Sequence, residues 1–79
     1  MPDYFVTYNP EKFMYIVWNS QQIVLRVKDD RTQSSKDKVV EFLQQEHERL
    51  KEPLSIFEIS SATGNLEDIM NALEGIRKK

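Results

Sequence analysis

Three runs of aromatic and β-branched residues fill the first 28 positions, at 4–8, 13–18 and 23–28. The breaks between them are short. A parallel neighbour would need a crossover of about a dozen residues or more, so these runs can join only as an antiparallel meander. Asn9-Pro10 stops the first run, because proline removes a ladder donor and Asn-Pro favours a turn. Asn19-Ser20-Gln21-Gln22 is a polar break of hairpin length between the second and third.

Side chains alternate along a strand with period 2, so the hairpin sorts its residues onto two faces. A two-residue loop pairs Ile16 with Ile23, and a four-residue loop pairs Trp18 with Ile23 and Ile16 with Leu25. Both predict the same grouping. One face carries Met14, Ile16, Trp18, Ile23, Leu25 and Val27 and reads as the core face. The other carries Phe13, Tyr15, Val17, Val24, Arg26 and Lys28, a mixture of aromatic, aliphatic and basic groups.

The second half has a helical texture. Ser34 or Ser35 can cap a helix over 36–51. Its stripe is Val39, Val40, Leu43 and Leu50, with Phe42 beside them, and Pro53 fits its end. The run 54–59 is apolar on both alternating faces, as expected of an inner strand covered on both sides. Asn65, with Asp68 three residues on, starts a last helix over 66–77. Its stripe is Leu66, Ile69, Leu73 and Ile76, flanked by Met70 and Ala72, and Gly75 weakens its last turn. The order β-β-β-α-β-α predicts an α+β fold: a four-stranded mixed sheet, made of an antiparallel meander plus one crossover strand, with two helices. At 79 residues the chain, 1–79, is one domain.

Composition narrows the function. Eleven basic and 13 acidic residues give a net charge of −2, with both signs interspersed. That balance disfavours nucleic acid, whose binding needs a basic field. The basic run Arg77-Lys78-Lys79 reads as cations completing a helix end. There is no cysteine, which removes disulfides, thiolate metal sites and thiol nucleophiles. No apolar run reaches membrane-spanning length, and the first residues lack the pattern of a signal peptide. A cytoplasmic protein without membrane contact is expected.

The chemistry-bearing residues do not assemble into a motif. The single histidine, His47, lies among Glu46, Glu48 and Arg49 and reads as solvated. One histidine and no cysteine leave no zinc set. Asp29-Asp30 and Glu67-Asp68 are adjacent pairs, unlike the spaced ligands of a calcium loop, and Asp29-Asp30 reads as a turn. Neither a metal, a cofactor nor an enzymatic activity is expected. The segment 60–65 joins a strand to a helix start, where backbone N–H groups favour anions. Ser61, Thr63, Gly64 and Asn65 are its candidate anion-binding residues, although a phosphate-loop lysine is absent.

The mixed hairpin face carries the main functional expectation. Phe13, Tyr15, Arg26 and Lys28 would project together, and aromatic residues beside arginine are enriched at protein interfaces. A non-catalytic protein-binding or regulatory module follows, contacting a protein partner or a second copy of itself. Single-stranded nucleic acid, stacking on the same rings, is the alternative. An anion-binding or small enzyme subunit using 60–65 is another. If the helices instead cover both sides of the sheet, Phe13, Tyr15 and Val17 become a second core layer.

Overall fold

A computed structural model of the chain describes residues 3–59 and 65–77. Four strands and two helices follow in the order β1 (Asp3–Asn9), β2 (Met14–Asn19), β3 (Gln22–Lys28), α1 (Gln33–Leu50), β4 (Ser55–Glu58) and α2 (Asn65–Ala72). The strands form one mixed sheet in the order β3-β2-β1-β4. β1, β2 and β3 are antiparallel neighbours, and β4 lies parallel to β1. The α+β architecture is the one the periodicities predict.

Both helices pack on the same face of this sheet. The buried strand residues are Tyr4, Val6 and Tyr8 of β1, Tyr15 and Val17 of β2, Val27 of β3 and Ile56 of β4. They join one core with Val39 and Leu43 of α1 and with Leu66, Ile69, Met70 and Leu73 at α2. Two alternating sets thus separate along each strand, one against the helices and one away from them.

The faces expected for the hairpin are corrected in two ways. Tyr15 and Val17, not Met14, Ile16 and Trp18, point into the core. In addition, the β2–β3 register shifts between Val17 and Trp18. Trp18 faces Ile23, but Val17 then faces Leu25, Ile16 faces Arg26 and Tyr15 faces Val27. Val24 is therefore an extra residue, a β-bulge, and beyond a bulge every side chain changes its cross-strand partner. Leu25 and Val27 consequently leave the Ile16 set and join the Val17 set. Val24 and Leu25 both pack against the core.

β4 also differs from expectation. It pairs with β1 and forms an edge of the sheet. Its helix-side residue Ile56 is buried, whereas Phe57 is 49% exposed, so the strand is covered on one side. α1 begins earlier than predicted, with Thr32 at its N-cap, and Ser35 lies inside it as a buried residue. The Ser35 hydroxyl donates to the Thr32 carbonyl at 2.9 Å. α1 closes on Lys51, whose left-handed backbone lets its N–H bond the His47 carbonyl. α2 ends at Ala72 and is followed by a turn. Arg77, instead of completing a helix end, donates to the Ile56 carbonyl at 3.1 Å. No helix among the described residues is long and apolar enough to cross a membrane.

Two carboxylates tie the layers together. Asp29, just after β3, accepts from the Tyr8 hydroxyl at 2.8 Å, the Arg31 N–H at 2.8 Å and the Ser35 hydroxyl at 3.3 Å. Glu46 accepts from the Tyr4 hydroxyl and from both ends of the Arg49 guanidinium. The Arg31 N–H foremost, then the Tyr8 hydroxyl, holds Asp29 below its ordinary 3.8. Arg49 foremost, then the Tyr4 hydroxyl, holds Glu46 below its ordinary 4.5. A carboxyl with a depressed native pKa stabilises the fold above its unfolded value and loses that contribution as pH falls through the native one. Stability should therefore be flat above these ordinary values and decline below them. Each group contributes less than about 1 kcal/mol because solvent screens both. Thermal melts across acidic pH check this; Asp29→Asn should flatten part of the decline, and an unchanged profile would refute the role of Asp29.

Candidate functional site

The side of the sheet turned away from the helices is open. Phe5 and Thr7 of β1 point there, as do Met14, Ile16 and Trp18 of β2; all are half-buried. Ile23 and the exposed Arg26 and Lys28 of β3 continue this face, being the partners of Trp18, Ile16 and Met14. Phe57 of β4 lies opposite Phe5, and their rings stack with centroids 5.3 Å apart. The centre of the face is uncharged and apolar, with Arg26 and Lys28 on the β3 edge.

This arrangement divides the residues expected to act together. Arg26 and Lys28 are on the open face, as an exposed basic pair. Tyr15 is fully buried on the opposite, helix-covered face. Phe13 belongs to neither face: it precedes β2 in the connecting turn, with φ 50°, and is 45% exposed. The Arg31 guanidinium sits 5.3 Å from its ring centroid. The four residues are therefore not one surface, and the reason is the face assignment of β2 together with the bulge at Val24. The aromatic members sequence reasoning missed are Phe5, Trp18 and Phe57. The signal was present in β1, where Tyr4, Val6 and Tyr8 alternate with Phe5, Thr7 and Asn9 and identify the more apolar set.

Phe13 and Tyr15 instead border a pocket of about 440 Å³ at the start of α1. Tyr8, Asp29, Arg31 and Lys36 complete its principal lining. The rings of Tyr8 and Tyr15 meet at 4.9 Å, tilted by 59°. The Tyr8 hydroxyl donates a hydrogen bond to Asp29, but the buried Tyr15 hydroxyl has no hydrogen-bond partner among the described residues. Burial first, then the negative charge of Asp29, pushes the Tyr15 hydroxyl up to about 12. It is thus a protonated donor throughout the physiological range. Lys36 reaches the Asp68 carboxylate at 2.7 Å.

The remaining candidates have local roles. Asp29 and Asp30 accept from backbone N–H groups two residues on, in the turn their sequence implies. His47, expected to face water, is partly covered, and its Nδ1–H donates to the Glu52 carbonyl at 2.8 Å. That bond lies at the C-terminus of α1. No group of three or more potential metal ligands converges among the described residues. Ser61, Thr63 and Gly64 lie outside the described residues. Asn65 opens α2 by its backbone, and its side chain also lies outside the description.

Comparison with protein-family models, curated proteins and solved structures yields no match for this chain.

Proposed function

We propose that this chain is a cytoplasmic, non-catalytic binding module whose open sheet face contacts protein, and that a second copy of the chain is its first occupant. The observation that carries this reading is the helix-free face built from Phe5, Met14, Ile16, Trp18 and Phe57, with Phe57 49% exposed. Apolar side chains that are contiguous on a surface, rather than scattered singly, are the kind of patch that marks a contact site. A two-fold contact requires a surface complementary to itself. An uncharged centre meets that requirement, because like charges are not brought face to face. Arg26 and Lys28, on an edge strand, would remain at the polar rim. Aligned packing of two such sheets is a common solution for burying open faces.

Sedimentation of the purified chain over a concentration series tests this. The expected result is a monomer–dimer equilibrium for the natural sequence and a folded monomer for Ile16→Lys. A natural chain that stays monomeric throughout, or an Ile16→Lys variant that dimerises equally well, would overturn it.

Arg26 and Lys28, on the same sheet face as Trp18, also favour a second reading, single-stranded nucleic acid stacked on that face. Two cations give a small electrostatic footprint, so binding of an oligonucleotide should be weak and fall steeply with salt. The same face cannot be shared, and an oligonucleotide that dissociates the dimer would favour this reading over the first.

A further inference from the structure

The pocket at the start of α1 combines features that the open sheet face does not use. The Thr32 side chain at the N-cap does not bond the helix and instead donates to the Asp30 carboxylate at 2.6 Å, and the first turn of α1 contains no acidic residue. The unsatisfied N–H groups and positive dipole end of this 18-residue helix therefore have no carboxylate supplied by the turn itself. A helix start of this kind is generic, and on its own it would say little. Tyr15 adds an independent demand. Its side chain is completely buried and lines the pocket, and its hydroxyl has no partner among the described residues. A buried donor left unpaired costs free energy, so the site is incomplete without an acceptor.

The other groups in the pocket define what that acceptor should be. The Arg31 guanidinium lies over the Phe13 ring at the rim. The Lys36 ammonium bonds Asp68 and has two further protons to donate. Asp29 is the acid within the lining, but its oxygens already accept from Tyr8, Arg31 and Ser35. The free capacity of the pocket is thus for donation, from β2, from the β3–α1 connection and from α1. Donors arriving from three elements suit a tetrahedral group with several oxygens better than a planar carboxylate. The volume of about 440 Å³ is that of a small-molecule site.

We propose that this pocket binds the phosphate group of a small phosphorylated molecule, with the Tyr15 hydroxyl, the first-turn N–H groups of α1, Arg31 and Lys36 as its donors. Its donors are residues other than the 60–65 candidates, and it is separate from the open sheet face. Its failure would leave the protein-contact reading untouched.

Inorganic phosphate is the probe. Titration into isotope-labelled full-length chain, followed by amide NMR at constant ionic strength, should give saturable shifts at Gln33, Ser34 and Ser35 and at Tyr15. Tyr15→Phe removes one hydroxyl that has no partner among the described residues, so the variant should fold. It should bind phosphate roughly tenfold more weakly, the loss expected for one hydrogen bond to a charged group. Arg31→Gln, an exposed change, should weaken binding without affecting the fold. Shifts that never saturate, shifts that are absent, or affinity unchanged in Tyr15→Phe would overturn the proposal. In the last case the helix start alone attracts the ion.

Discussion

Val17→Lys should remove most of the stability of this protein, whereas Ile16→Lys, one position away, should leave the monomer folded. Val17 is fully buried in an inner strand, beneath the helices. A lysine there has no carboxylate partner and no short route to water. Burying an unpaired ammonium costs several kcal/mol even after relaxation, and the lost packing of valine adds about 1–2 kcal/mol. At roughly 0.1 kcal/mol per residue, a chain of 79 residues holds only about 8 kcal/mol in total. The penalty therefore approaches the whole. Ile16 points to the open face, opposite Arg26, where a lysine stem can cover its neighbours while its charge stays in water. Near-ultraviolet circular dichroism and a thermal melt distinguish the two variants. Equal stability of both would contradict the face assignment of β2.

That contrast rests on the part of the structure least legible in the sequence. The element order and the first part of each helix stripe follow from periodicity, because Val39 and Leu43, and Leu66 and Ile69, are apolar residues spaced on largely polar helices. Leu73, expected on the last helix, is instead buried from the turn that follows it. β2 offers no such contrast. Met14, Ile16 and Trp18 are at least as apolar as Tyr15 and Val17, so alternation fixes the two sets without saying which one meets the helices. The bulge is similarly concealed. Ile23-Val24-Leu25 is apolar throughout, and an extra apolar residue changes the register without leaving a polar mark. Beyond it the sequence is informative again: Arg26-Val27-Lys28 alternates cleanly, with Val27 buried between two exposed cations. The pocket was hidden for another reason. Tyr8 and Asp29 are 21 residues apart, and Lys36 and Asp68 are 32 apart. Local spacing carries no information about such meetings. The single surface expected of Phe13, Tyr15, Arg26 and Lys28 consequently became two separate places.

Leu43→Ala should lower stability by about 3 kcal/mol, within the range for truncating a buried leucine. Leu43 is fully buried on the sheet side of α1, among the core residues shared by both helices and the strands. Removing its side chain loses transfer free energy and leaves a cavity that the sheet, held by its ladder, can close only in part. In urea the midpoint should fall while the slope stays constant, since the surface exposed on unfolding hardly changes. The same measurement separates the core from the proposed contact face. Association of native copies stabilises them by mass action, so the midpoint of the natural chain should rise with protein concentration. Leu43 lies on the helix side of the sheet and Ile16 on the other. Leu43→Ala should therefore shift the midpoint by the same amount at every concentration and preserve the concentration dependence. Ile16→Lys should do the reverse, abolishing that dependence while costing the monomer little. A loss below about 1 kcal/mol for Leu43→Ala would mean that α1 does not cover the sheet as described. A concentration dependence that disappears in Leu43→Ala, with the fold retained, would place the contact between copies on the helix side instead.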